Sequence, residues 1–160
     1  MAKRETHAEV VLLLPRGGDK ILTLTKRFYP EGLYNLPSGK LEEGESFEQA
    51  FAREALEETG LKLECRVLVA VLSHLLICDD AQLKFTSYME LGDKSALAPH
   101  PIDPVEQISE YKEATAADLR DMAKRMRSLD GRRQGFGQFR ATALDVAACY
   151  LSDSWNNPQG

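Results

Sequence analysis

The chain has 160 residues, a length that one hydrophobic core can serve, which argues for a single domain over 1–160 and against a two-domain enzyme. Its 43% hydrophobic and 28% charged residues exclude wholesale disorder. A formal net charge of -5 argues against broad affinity for nucleic acid or an anionic membrane, so any phosphate chemistry needs a neutralising partner other than bulk charge.

The opening MAKRETHAEV runs into a strand pattern without a signal-peptide core, and no apolar run reaches the roughly 18 residues that would cross a bilayer. A cytoplasmic protein with no membrane partner is expected. Residues 7–15 (HAEVVLLLP) and ILTLTKRF from Ile21 read as strands joined across Gly17, Gly18 and Asp19, the first by its β-branched run and the second by alternation. The stretch YPEGLYNLPSGK is too dense in Pro and Gly for more than very short strands in a loop. From Ser46 to Thr59 the composition switches to helix formers, with Ser46 as N-cap, Gln49 as its capping-box partner and Gly60 as the stop. Leu61 to Cys78 and Leu83 to Leu91 are expected to pair in a sheet. A Pro-containing loop follows to Pro104. After it EQISEYKEAT reads as a strand, AADLRDMAKRM behind Thr115 as a helix, and a last helix covers about 135–152. Cys65, Cys78 and Cys149 are widely spaced, with no CxxC pair, which predicts reduced core thiols. Too few βαβ repeats occur for a doubly wound fold, so an α+β layered sandwich is expected.

Chemistry concentrates at the end of the helix from Ser46. Helical spacing puts Glu54 one turn from both Glu57 and Glu58, so three carboxylates share one region. They stand in the last turn, where the macrodipole disfavours anions by about 0.3–1 kcal/mol each. The apolar stripe of Phe47, Ala50 and Phe51 continues onto Glu54 and Glu58, aiming acids at the protein interior. A hard divalent cation such as Mg²⁺, or Mn²⁺ in its place, relieves such a cluster. A solvated Glu-rich helix face explains the composition as readily. Arg53 precedes Glu54 and reaches Glu57 at i+4, where it can orient a carboxylate.

Gly39, five residues, Glu45, seven residues, and then Arg53-Glu54-Ala55-Leu56-Glu57-Glu58-Thr59-Gly60-Leu61 resemble the Nudix box, here 39–61. Ala55 departs from the family's bulky aliphatic, and Ser38 replaces a Gly in the Leu-Pro-Gly-Gly entry that Leu36 to Gly39 resemble. The resemblance covers roughly residues 7–125 and implies a Nudix (MutT-like) hydrolase with an α-β-α sandwich and a mixed central sheet. It also implies a small-molecule nucleotide substrate, a diphosphate linked to another group and split by attack of metal-activated water. Mg²⁺ would be held by Glu57, Glu58, Glu54 and the carbonyl of Gly39. Glu54 would serve as ligand or base, and Arg53 and Glu45 would pair to hold helix and loop in register. Family members are often dimers, so a homodimer is an implied partner. A dinucleoside polyphosphate, an RNA 5′ end, or a nucleotide-sensing module without turnover are the other readings. The Pro that often follows the box in ADP-ribose hydrolases does not occur before Pro99.

Outside the box, Glu106 and Glu110 resemble a later acidic segment that supplies another catalytic Glu in many relatives; Glu110 is the stronger candidate, with an exposed edge strand as the alternative. Lys26 and Arg27 can meet a phosphate, and Tyr34, Phe28 and Tyr29 can stack on a base. As strand-end charges and core-edge aromatics they need neither role. Lys124, Arg125, Arg127, Arg132 and Arg133, with Arg120, make a basic segment that suits a polyphosphate or an RNA 5′ end, or merely a solvated face. His74 and His100 have no partner legible in the sequence.

Overall fold

The computed structural model describes residues 7–156, with side chains to residue 152. Its elements are β1 (Ala8–Leu13), β2 (Ile21–Lys26), β3 (Ser38–Lys40), α1 (Phe47–Thr59), β4 (Cys65–Cys78), β5 (Ala81–Gly92), β6 (Ile108–Ala114), α2 (Ala116–Arg127) and α3 (Gln134–Asn156). Short 3-10 turns cover Pro104–Glu106 and Gly131–Arg133.

Strand β1 is buried along nearly its whole length, as a central strand with both faces covered must be. It pairs parallel with β5 and antiparallel with β3, and β4 completes a mixed sheet in the order β3-β1-β5-β4. Alternation then sorts side chains between two cores. Val10, Leu12 and Leu14 face Ala50, Phe51 and Ala55 of α1, while Val11 and Leu13 pack with Leu119, Met126, Leu144 and Ala148 of α2 and α3. The expected sandwich with a mixed sheet is the observed fold.

Strands β1 and β2 stay together only beside their turn, through Arg16 N–H to Lys20 O at 2.9 Å and Leu22 N–H to Leu14 O at 3.0 Å. Beyond that, both edges of β1 are taken by β3 and β5, and β2 pairs antiparallel with β6 instead. The β4–β5 hairpin turns at Asp79, whose φ of 52° is a conformation that Asp tolerates better than most residues. The cysteines are free, but the core-thiol expectation fails for two: Cys78 at the hairpin tip and Cys149 on α3 are exposed, and only Cys65 is half-buried. Among the described residues no helix is long and apolar enough to cross a membrane.

Candidate active site

The site grows from the C-terminal end of α1, and that end is unusually well tied. Ser46 and Gln49 form the capping box at its start, and Gly60 ends it in the left-handed conformation at φ 71°. The last four carbonyls of a helix need outside partners. Here Leu56 O accepts from Gly60 N–H, Glu57 O from Ile102 N–H at 3.2 Å, Thr59 O from His100 N–H at 2.9 Å, and Glu58 O from the Tyr111 hydroxyl. The loop 93–103 thus fastens α1 against rotation and carries the chain into the Pro104–Glu106 turn, which the Asp103 carboxylate caps.

That turn delivers Glu106 to the acids of α1. Carboxylate oxygens of Glu54, Glu57 and Glu106 all lie within 4.8 Å of one another. Glu54 is 4% exposed and Glu58 fully buried, as the continued apolar stripe demands, while the Glu57 side chain keeps 34% exposure. Glu58 Oε1 accepts from Ser38 N–H at 3.1 Å. The other oxygen of Glu58 and Oε2 of Glu54 are buried without a donor. A buried, bare carboxylate oxygen costs about 1–3 kcal/mol or more, so two of them beside a third and fourth acid make a donor set suited to a hard cation.

Arg53 organises the acids. Its guanidinium grips Glu45 through two bonds of 2.8 and 2.9 Å, reaches Glu54 Oε1 at 2.7 Å and Glu57 Oε2 at 3.3 Å, and donates to Lys40 O at 2.9 Å. The helix, the loop before it and β3 are thereby locked into one unit. Gly39 is needed for close approach, because a Cβ there would fall 1.9 Å from the Glu54 carboxyl carbon. Ser38 bonds Glu58 through its backbone N–H, so replacing the family's Gly preserves the donor.

The electrostatics follow from this crowding. Burial pushes the Glu54 carboxyl up to about 7, with Glu57 and Glu106 adding to the shift and Arg53 opposing it. Burial also raises Glu58 well above the carboxylate range, against the pull of Lys26, and raises Glu57. Burial alone would lower the Lys26 ammonium, yet Glu58, Tyr29 and Glu106 around it hold its pKa above the ordinary value. Lys26 Nζ lies 3.1 Å from Glu106 Oε2.

Among the residues singled out from the sequence, Arg53, Glu54, Glu57, Glu58, Gly39 and Lys26 are brought together. Glu110 is not. Tyr111 points toward α1, so by strand alternation Glu110 points to the other face, where it accepts from the Tyr34 hydroxyl at 2.7 Å. Of the two later acids it is Glu106 that joins the α1 carboxylates. A signal existed in Asp103-Pro104, an N-cap followed by Pro at the first position, which marks a turn that takes in Glu106, the residue at which the sequence reads as the start of a strand. Tyr34 is held by Glu110 and by the Lys112 ammonium 5.8 Å from its ring. Arg27 and Phe28 are exposed at the end of β2. His100 packs over Gly60, and His74 bonds Ser87 on the far side of the sheet.

The sequence profile of the NUDIX domain matches residues 4–130. The chain belongs to the Nudix family. It is 39% identical over 54 residues to the NAD-capped RNA hydrolase NudC of Pasteurella multocida (strain Pm70), a match covering 34% of this chain and 20% of that protein. The match therefore spans only about a fifth of the length of that curated relative. Its fold is similar to that of the MutT protein from Methanosarcina mazei Go1, at 18% identity and TM-score 0.57 over 86% of this chain and 91% of that one. A NUDIX hydrolase from Nitrosomonas europaea matches at 23% identity and TM-score 0.57, covering 84% and 88%.

Proposed function

We propose that the protein is a Mg²⁺-dependent pyrophosphohydrolase that cleaves the phosphoanhydride of a nucleotide linked to a further phosphate or other group. The observation that carries this reading is the pair of buried, donor-free oxygens on Glu54 and Glu58 beside the mutually close Glu57 and Glu106. A fold selected for stability alone would not bring three acids to one point, with a fourth buried beside them, at the negative end of a helix.

The residues assigned to hold the cation are Glu54, Glu57 and Glu106, with Glu58 and the carbonyl of Gly39 behind them. When bound, a divalent ion supplies charge neutralisation of phosphate oxygens and acidification of water. The chain's own groups do the rest. Arg53 fixes the carboxylates of Glu54 and Glu57 in position, and Glu54 is placed to ligate or to take the proton of the attacking water. Lys26 and Arg27 lie on the approach from β2 and meet the substrate phosphates. Tyr34, oriented by Glu110, borders the nucleoside. Attack of water at phosphorus breaks the anhydride P–O bond and leaves two phosphorylated products.

The test is incubation of the purified protein with Mg²⁺ and a panel of nucleoside triphosphates, dinucleoside polyphosphates and nucleotide sugars, with detection of monophosphate and pyrophosphate. Product from at least one substrate, abolished by chelation, is expected. No product from any member of the panel overturns the assignment.

A further inference from the structure

Two cations stand among the acids, and they are held in different ways. Arg53 is tied by five hydrogen bonds, two to Glu45 and one each to Glu54, Glu57 and Lys40 O, so its guanidinium cannot leave without undoing the loop before α1. Lys26 makes one side-chain bond among the described residues, from Nζ to Glu106 Oε2 at 3.1 Å. A lysine ammonium is a compact charge on a flexible four-carbon stem, and with side-chain exposures of 17% and 21% the Lys26–Glu106 pair still opens to water. Of the two cations, Lys26 is the one free to move.

The backbone departs from regular geometry on both sides of this contact. Strands β2 and β6 pair in step as far as Thr25 and Glu110, and there the register skips Ser109, so that Lys26 comes opposite Ile108. Such bulges re-aim side chains and recur beside active sites. Gln107 takes a left-handed φ of 55°, a conformation rare outside glycine that clusters at working sites, and its carbonyl accepts from Arg27 N–H at 3.0 Å. Bulge and left-handed residue together bring Lys26 and Glu106 face to face.

Glu106 also belongs to the acid cluster, with an oxygen within 4.8 Å of oxygens of Glu54 and Glu57. An ammonium and a divalent ion drawn to one carboxylate repel each other at close range, so both cannot hold Glu106 at full strength. We propose that Lys26 is an internal counter-ion that changes partners: its ammonium pairs with Glu106 until a divalent cation takes that carboxylate, and then passes to a phosphate of the substrate. Lys26 is thereby a positioning residue that links the two binding events, and cation and diphosphate each tighten the other by the same factor. The inference rests on the proposed hydrolysis for its cation.

Binding measurements on the full chain test it, with Mg²⁺ and with methylenediphosphonate, a diphosphate analogue that has no anhydride to cleave. By calorimetry Lys26→Met is expected to take up Mg²⁺ about tenfold more tightly than the parent, having lost the competitor, and to bind methylenediphosphonate in saturating Mg²⁺ about tenfold more weakly. Lys26→Arg keeps the charge, but its planar fork grips a carboxylate in two bonds, so Mg²⁺ uptake should weaken about threefold. Charge alone does not produce that loss. In lysine-selective nitrogen NMR the Lys26 ammonium signal, identified by its absence from Lys26→Met, should shift as Mg²⁺ saturates the protein and shift again when methylenediphosphonate is added. Equal Mg²⁺ affinity in the three proteins, or an ammonium signal indifferent to Mg²⁺, overturns the exchange and leaves the hydrolase reading standing. No Mg²⁺ uptake by the parent or either variant overturns the cation site of that reading, and the exchange with it.

Discussion

The two faces of the central sheet bury carboxylates in opposite ways. On the α3 side Glu9 is 3% exposed, and both oxygens are taken: Arg140 Nη1 donates to them at 2.8 and 2.9 Å and the Ser87 hydroxyl at 2.7 Å. His74 completes the chain at 3.1 Å from Ser87 Oγ. On the α1 side Glu54 and Glu58 are buried as deeply but each keeps a bare oxygen. A buried acid that is fully bonded stabilises one packing of the chain; one that is not costs stability and must have another reason to persist. Degree of satisfaction, more than burial, separates a structural acid from a working one.

Exchanging the two kinds of acid for amides should therefore give opposite phenotypes. Glu57→Gln is expected to lower turnover by roughly 1000-fold while the thermal midpoint stays near that of the parent. Near-normal turnover would remove Glu57 from the cation's shell. Glu9→Gln should do the reverse, because it strands the Arg140 guanidinium half-paired in the sheet–helix interface. A loss of about 3 kcal/mol in urea unfolding is expected, with kcat of the surviving folded fraction within about twofold. A Glu9→Gln protein of parental stability would break the contrast.

The same distinction governs what could be read from the sequence. Helix α1, its caps and the inward aim of Glu54 and Glu58 were legible because they depend on spacings of three and four residues. The choice between Glu106 and Glu110 was not, because it depends on loop 93–103 bonding the end of α1 and so placing the 3-10 turn, contacts that span some 45 residues of chain. The separation of β2 from β1 was hidden for a similar reason: β1 is saturated by β3 and β5, which are remote in sequence. Arg53 and Glu45 pairing was implied by the family resemblance alone, and the reach of Arg53 toward the helix acids by helical spacing; the bond to Lys40 O depends on where the fold brings β3.

Glu90 is a third case that sharpens the contrast. It lies on β5 facing α1, fully buried, and no nitrogen or hydroxyl donor reaches either oxygen. Burial pushes its carboxyl from 4.5 up to about 7, with the Cys65 thiol beside it opposing weakly and Glu48 adding. Since the folded state then holds a proton that the unfolded chain releases, stability is full below the ordinary value of 4.5 and declines as pH rises toward 7. The share due to Glu90 is roughly 3 kcal/mol. Glu54, Glu57 and Glu58 contribute declines of the same sign in the metal-free protein, so Glu90→Gln should make the slope of unfolding free energy between pH 5 and 7.5 shallower by about a quarter to a third. A slope equal to that of the parent would mean that Glu90 is charged in the fold.

The smallest expected effect concerns Ser38, where this chain departs from the family's Gly. Its backbone N–H holds Glu58 at 3.1 Å, and its φ is not among the positive values, so neither the bond nor the conformation calls for a particular side chain. Its neighbour is the opposite case, since any Cβ on Gly39 would occupy the space of the Glu54 carboxylate. Ser38→Gly should accordingly leave kcat/KM within about twofold and cost only about 0.5 kcal/mol, from the freer unfolded chain. Steady-state kinetics and a urea midpoint read both. A tenfold change in turnover would show the Ser38 hydroxyl taking part in the site, and the equivalence of serine and glycine at this step of the loop would be lost.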